Sequence, residues 1–327
     1  MEKNLVVKKN EDNGRYKYIP QYLQSQWKII PVDFDDNFEL KKALKIADAV
    51  ISMTWSESFP PAPRLKLLQL QGAGTNGVDL FSVPPDSYVC NVYEHEISIS
   101  EYVLAAMLMW VTDIDKHDNA LRNGDWYGSY LFGPPHKELY GQTLGIVGYG
   151  RIGREVAVRA KAFGMKIISC SRTAKKAKEI NDDIMPMTKL DSLLDESDFV
   201  LLSTPLDKTT EKIIKLEQLR CIGQNGVIIN IARGELIDEE DLYQACKEKI
   251  IGGAIIDTWY KYPLSRNDKQ APSDFNFRLL DNVMMTPHSS AWTERLIERR
   301  CEAIAHNLDS ISFNIIPKNV VREPIGS

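Results

Sequence analysis

Residues 144–153 read Leu144-Gly-Ile-Val-Gly-Tyr-Gly-Arg-Ile-Gly153, an apolar run that closes in three glycines at 148, 150 and 153. The apolar residues fit a buried strand, and the segment Arg154–Phe163 that follows fits a helix. Between them each glycine answers a different need. Gly148 permits a tight turn, Gly150 lets a phosphate approach the backbone, and Gly153 lets helix and strand lie close together. The amides of the helix's first turn then face an anion. Three glycines at this spacing are a weak signal alone; set between a strand and a helix they predict a Rossmann-type turn for the pyrophosphate of a dinucleotide.

The pattern extends outward from this turn. Further strands are predicted at Lys166–Cys170, Phe199–Ser203, Val227–Ile231, Gly253–Asp257 and Val283–Thr286, with helices at Lys189–Glu196, Leu216–Cys221 and Glu239–Lys249 between them. Asp238 is placed to cap the last of these helices. Upstream, the short apolar runs Leu5–Val7, Ile29–Val32, Ala49–Met53, Leu67–Leu70 and Tyr88–Val92 alternate with helix-sized segments, which predicts a second parallel sheet. Ser98–Asp113 has apolar residues at helical spacing, and residues 113–136 read as an arm or connector. The fold class expected is α/β, with two doubly wound parallel-sheet domains, a Rossmann cofactor domain and a flavodoxin-like substrate domain. The substrate domain is expected over residues 1–98 with 290–327 returning to it, the dinucleotide domain over 99–289, and a ligand cleft between the two.

Bulk properties narrow the function. A length of 327 residues suits two domains at a prior of about 150 residues each. A net charge of −5 lacks the basic excess of a general nucleic-acid binder. The five cysteines are scattered and show no C-x-x-C spacing, so neither a disulfide framework nor a metal site is indicated. The longest apolar run, about ten residues, is short of the roughly 20 a membrane span needs. The expectation is a soluble cytoplasmic protein.

The end of the second strand bears on the cofactor. An acidic residue there holds the ribose 2′-hydroxyl of NAD. Here the strand runs into Ser171-Arg172-Thr173. Two hydroxyls and a guanidinium can hold a 2′-phosphate, which predicts NADP over NAD, with NAD still possible.

Three more segments place polar residues at strand ends: Asn230-Ile-Ala-Arg-Gly-Glu-Leu-Ile-Asp238, Gly253-Ala-Ile-Ile-Asp-Thr-Trp-Tyr-Lys-Tyr-Pro263 and Thr286-Pro-His-Ser-Ser-Ala-Trp-Thr293. In this order after the glycine turn, they make the chain resemble the D-isomer-specific 2-hydroxyacid dehydrogenases over about residues 72–293. The resemblance implies a role for each matching residue. Arg233 would hold the substrate carboxylate and polarise its carbonyl, and His288 would be the acid/base. Asp257 would receive the nicotinamide carboxamide. Arg151, Ile152, Thr204, Pro205 and Ile231 would line the cofactor with the glycines, while the amides of Ala73 and Gly74 would cradle the substrate carboxylate. It implies a homodimer through the 98–136 region.

One position departs from the family. A glutamate that pairs with the histidine is expected five residues after the aspartate, before a proline; Tyr262 stands there, before Pro263. A phenol can hydrogen-bond an imidazole but cannot stabilise imidazolium as a carboxylate does. Glu94 or Glu96, near His95, could substitute. The aromatic residues Trp55, Trp259, Tyr260, Tyr262 and Trp292 could wall a site for a bulky side chain. The function expected is NADPH-dependent reduction of a 2-oxo acid (glyoxylate, hydroxypyruvate or a bulkier analogue) to the D-2-hydroxy acid. The alternatives are a dinucleotide-sensing binding protein and a phosphoglycerate-type dehydrogenase. The latter would want cations around Met53–Pro60, and none is there.

Overall fold

Successive side chains of a strand point to opposite faces of its sheet, and the first strand, β1 (Lys3–Lys8), divides the core accordingly. Leu5 and Val7 join Cys301, Ile304 and Leu308 in one apolar layer. Val6 joins Leu40, Ala43 and Leu44 of α1 (Asn37–Leu44) in the other. A strand that is apolar on both faces must be covered on both, so helices flank the sheet on each side. The computed structural model describes residues 2–9, 11–172, 176, 177, 182–265 and 267–325. It divides into two compact units, Met1–Glu94 with Thr293–Ser327, and His95–Trp292.

In the first unit, β1 pairs with β2 (Trp27–Val32) and β3 (Ala49–Ile51), which continues into β4 (Leu67–Gln69) and β5 (Tyr88–Cys90), all parallel. The strand β15 (Val320–Arg322) closes the edge antiparallel to β5, giving the order β15-β5-β4-β3-β1-β2. Its parallel part is the flavodoxin-like 2-1-3-4-5 order. The helix α8 (Glu294–Ser312) supplies Cys301, Ile304, Ala305 and Leu308 to one face.

Buried polar side chains fasten α8 to its surroundings. Asn307 donates to Gln69 Oε1 at 2.8 Å and to the Lys318 carbonyl at 3.1 Å. Asp309, 7% exposed, accepts from the amides of Gln24 and Ser25, both at 2.9 Å, and from the Ser25 hydroxyl at 2.5 Å. Arg322 donates to the carbonyls of Leu80, Val83, Pro84 and Ser87.

The second unit opens with α2 (Glu96–Thr112) and α3 (Ile114–Arg122). Then come β6 (Thr143–Val147), α4 (Arg151–Ala162), β7 (Lys166–Ser171), and a short antiparallel pair, β8 (Lys176–Ala177) with β9 (Asp182–Asp183). They are followed by β10 (Met185–Pro186), α5 (Leu190–Asp195), β11 (Phe199–Leu202), α6 (Leu216–Ile222) and β12 (Val227–Asn230). The helix α7 (Glu239–Lys247) and strands β13 (Gly253–Ile256) and β14 (Val283–Met285) complete the unit. The sheet order is β10-β7-β6-β11-β12-β13-β14, parallel throughout. This is a doubly wound dinucleotide-binding sheet. Alternation again sorts the side chains: Leu144, Ile146, Phe199 and Leu201 join Val103, Met107 and Val156, whereas Val147, Val200 and Leu202 join Leu193, Leu219 and Leu242.

One expectation about elements needs correction. The helix after the glycine turn begins at Arg151, not Arg154, because Gly150 is extended and the turn ends there. The segment read as a connector contains α3, none of whose residues is buried. Its apolar residues Ile114 and Leu121 are exposed, 59% and 54%, so no core contact reinforced the helical signal.

Asp309→Ala removes the acceptor of three donors and leaves two amides unsatisfied in a mostly buried site. It should lower the stability of the protein by about 2 kcal/mol. Urea denaturation followed by circular dichroism reads this as an earlier midpoint, and Ser25→Ala should shift it less.

Candidate active site

The glycine turn leaves little freedom. Gly148 has φ +97°, and a Cβ on it would lie 2.6 Å from the Thr204 amide nitrogen and 2.8 Å from the Ser203 carbonyl carbon. Its amide donates to the Cys170 carbonyl at 2.8 Å, and its carbonyl accepts from the Ser203 hydroxyl at 2.7 Å. The ends of β6, β7 and β11 thus meet at one glycine. Gly153 is equally confined, because a Cβ there would lie 2.7 Å from the Gly148 carbonyl oxygen.

Gly150 is different. A Cβ on it would meet nothing within 4 Å, and its φ of −89° is ordinary for any residue. The fold itself makes no demand for glycine there. A ligand that approaches the backbone does, and α4 has no side-chain cap at this end. A dinucleotide pyrophosphate fits such a turn. Arg151 opens α4 with Nη1 3.6 Å from Glu96 Oε1, and Ile152 lies half-buried against the core. Thr204 and Ile231 are buried, 5% and 4% exposed, while Pro205 is exposed.

At the end of β7, Ser171 is half-buried and Arg172 exposed. Thr173 lies outside the described residues. Arg172 Nη1 donates to Asp207 Oδ2 at 2.6 Å. Sequence reasoning missed this partner. Its only local signal was an aspartate two residues before a threonine, since Asp207 Oδ1 accepts from the Thr209 amide at 2.8 Å and hydroxyl at 2.6 Å. Those Thr209 bonds, with Arg172 adding to them, hold the Asp207 carboxyl below the usual carboxylate range.

The second group gathers at the ends of β12, β13 and β14. Arg233 is extended and exposed, its Nη1 donating to the Ala232 carbonyl at 2.6 Å. The Asn230 side chain sets this corner by donating to the Arg233 carbonyl at 2.7 Å and accepting from the Ala232 amide at 3.1 Å. His288 is a non-glycine residue with φ +56°. Asp257 holds it there. Asp257 Oδ1 accepts from the Thr286 hydroxyl at 2.6 Å and the Ser289 amide at 2.8 Å, and Oδ2 accepts from the Ser290 amide at 3.0 Å. Tyr102 and Trp259 brace the same loop through the Thr286 hydroxyl at 2.7 Å and carbonyl at 2.9 Å. Asp257 is fully buried. The family resemblance implies that it receives the cofactor carboxamide, and in the structure its carboxylate also shapes the His288 loop.

Tyr262 lies beside His288, ring centroids 5.5 Å apart and planes tilted by 50°. Its hydroxyl accepts from the Trp259 amide at 3.0 Å, so the phenol ring, not its oxygen, meets the imidazole. Among the described residues the imidazole has no hydrogen-bond partner. Burial pushes the Tyr262 phenol up, opposed by the Trp259 amide and Arg233. His288 is displaced down. Part of its surface reaches solvent, but desolvation by the protein around the rest dominates, Arg233 adds to it, and Asp257 opposes.

The substitute carboxylates are engaged elsewhere: Glu94 lies 3.9 Å from Arg299 Nε, and Glu96 faces Arg151. The expected aromatic wall also shrinks. Trp55 is buried and stacked on Phe59 at 4.7 Å, Trp259 packs edge-on to Phe277, and Tyr260 donates to the Ile237 carbonyl. Tyr262 and Trp292 remain exposed, 45% and 54%. In the first unit, Asn91 Nδ2 donates to the Ala73 carbonyl at 2.9 Å, and the amides of Ala73 and Gly74 have no protein acceptor among the described residues. No group of metal-binding side chains occurs among the described residues, and no single helix there is long and apolar enough to cross a membrane.

The chain is similar to known proteins. A family model for the NAD binding domain of D-isomer specific 2-hydroxyacid dehydrogenases matches residues 104–290. Over 299 residues the chain is 32% identical to a glyoxylate reductase of Pyrococcus furiosus, a match covering 88% of this chain and 86% of that protein. It is 32% identical over 292 residues to a D-3-phosphoglycerate dehydrogenase of Methanocaldococcus jannaschii, covering 88% of this chain but 54% of the relative. The solved structure of a 2-hydroxyacid dehydrogenase from Ketogulonicigenium vulgare superposes with a TM-score of 0.81 at 22% identity, over 99% of this chain and 100% of the other, a likeness of fold.

His288 should titrate below 6.5, its ordinary value. Tyr262→Glu sets a carboxylate beside the ring and should raise that midpoint by about one unit. Proton NMR of the imidazole against pH reads both; a midpoint that Tyr262→Glu leaves unmoved would separate the two side chains.

Proposed function

The chain belongs to the D-isomer-specific 2-hydroxyacid dehydrogenase family, and on that premise we propose that it reduces a 2-oxo acid of the glyoxylate or hydroxypyruvate type, or a bulkier analogue, to the D-2-hydroxy acid, with NADPH preferred over NADH. The observation that carries the reaction is the pairing of an exposed Arg233 with a His288 whose loop is pinned by Asp257. The observation that supports NADPH is a guanidinium, that of Arg172, where an acidic residue would otherwise face the ribose.

The dinucleotide, when bound, supplies the hydride; the Gly148–Gly153 turn and the α4 amides would hold its pyrophosphate. Everything else falls to the chain's own groups. Arg233 offers paired donors in a plane that suit a carboxylate and an adjacent carbonyl oxygen. The Ala73 and Gly74 amides are donors of the kind that hold a carboxylate. His288 gives a proton to the oxygen as charge develops there.

Desolvation, with Arg233 adding to it, holds the His288 pKa below its ordinary value, so less of it is protonated at neutral pH than of a free imidazole. Reduction requires the protonated form. Its rate is therefore full below the His288 pKa and falls as pH rises through it. Tyr262, held neutral, gives no carboxylate to raise that limb. The arm around α3 leaves Trp126, Leu131 and Phe132 exposed, 65%, 64% and 76%, and supports a homodimer as the assembly.

A panel of 2-oxo acids with NADPH, followed by absorbance, tests the reading. Turnover of glyoxylate or hydroxypyruvate is expected, with Arg233→Gln lowering kcat/KM at least about a hundredfold. Tight NADPH binding without turnover would favour a sensor, and turnover restricted to phosphorylated substrates would favour the phosphoglycerate-type activity. Light scattering should give the mass of a dimer, shifted toward monomer by Phe132→Asp.

A further inference from the structure

The carboxylate absent from the end of β7 reappears from elsewhere. In the sheet order β7-β6-β11, the glycine turn at the end of β6 lies between Arg172, which follows β7, and Asp207, in the loop after β11. The Arg172–Asp207 ion pair spans that turn at 2.6 Å. Both ends are anchored. Gly148 is bonded to Cys170 on one side and abuts Ser203 and Thr204 on the other. The loop that carries Asp207 is tied by Thr210, whose hydroxyl donates to the Pro205 carbonyl at 2.7 Å and accepts from the Asp207 amide at 2.8 Å. The two Thr209 bonds then fix Asp207 Oδ1, leaving Oδ2 for Arg172.

We propose that Asp207 is a specificity-determining residue of the cofactor site, one that weakens the NADPH preference conferred by Arg172. This rests on the reading that Arg172 faces the adenosine ribose. The physics is direct. A lone guanidinium presents a full positive charge to a 2′-phosphate dianion. A guanidinium bonded to a carboxylate presents a nearly neutral pair, and the phosphate meets an anion close behind its partner. One Arg172 donor is also already engaged. An uncharged ribose is indifferent to both effects, so Asp207 acts on the discrimination between the cofactors and not on dinucleotide binding as such. The pair is solvent-exposed, 56% for the Arg172 side chain and 35% for that of Asp207, so the effect is moderate and sensitive to salt.

The test is fluorescence titration of the full chain with NADPH and with NADH in the absence of substrate, in the wild type, Asp207→Asn and Arg172→Gln. Asp207→Asn keeps an acceptor for Thr209 and removes the charge. It should tighten NADPH binding about threefold to fivefold, leave NADH within about twofold, and lose most of this gain in high salt. Asp207→Ser serves as a second removal of the charge should the asparagine variant fold poorly. An NADPH-to-NADH Kd ratio that these variants leave unchanged overturns the inference, and a ratio shifted toward NADH does so by making Asp207 an orienting partner of Arg172. Arg172→Gln separates the levels. If it abolishes the NADPH preference while Asp207→Asn has no effect, only the role of Asp207 fails. If Arg172→Gln leaves the ratio unaltered, the assignment of Arg172 to the 2′-phosphate fails as well.

Discussion

The approach of the backbone at Gly148 to the backbone at Ser203 and Thr204 is the contact on which the second unit's chemistry depends. No side chain fits in that gap, since a Cβ would sit 2.6 Å from a backbone nitrogen. The contact draws the carboxyl ends of β6, β7 and β11 together, starts α4 with its amides uncapped, and brings Arg172 within reach of a carboxylate two strands away. A substitution at Gly148 would therefore displace the ends of β6, β7 and β11 together. Gly150, by contrast, is open on its protein side, so the fold itself places no demand for glycine there.

A second constraint acts at the other end of the same sheet. His288 adopts a left-handed backbone conformation, which costs a non-glycine residue about 1–2 kcal/mol. It is held there because buried Asp257 accepts from the amides of Ser289 and Ser290 and the hydroxyl of Thr286. The carboxylate that steadies the histidine thus lies beneath its loop, and among the described residues no carboxylate bonds the imidazole itself. Tyr262 sets its ring beside the imidazole, planes tilted by 50°, and its hydroxyl accepts from the Trp259 amide. The result is a histidine with a fixed backbone position whose charged form is disfavoured by desolvation.

The two constraints differ in how they showed in the sequence. Gly148, Gly150 and Gly153 are spaced by the geometry of one local turn, so their meaning could be read without knowing what else folds nearby. The same holds for the alternating apolar residues of β6 and β11, and for Asn230, whose side chain bonds the backbone two and three residues on. The arm containing α3 was harder to read, because its helix has no buried face to impose a pattern.

Local spacing and periodicity, then, determined from the sequence by itself the α/β class and the glycine turn, and the order of motifs along the chain carried the family resemblance that singled out Arg233 and His288. The tertiary structure alone decided which partners those groups have. Asp207 reaches Arg172 across an intervening strand, Asp257 reaches past His288 to the amides on its far side, and Trp259 takes the hydroxyl expected for the imidazole. Each of these contacts joins residues on different strands or loops, or is settled by the direction of a side chain. Linear order carries no record of either, because sheet order and side-chain direction are set only when the whole core is packed.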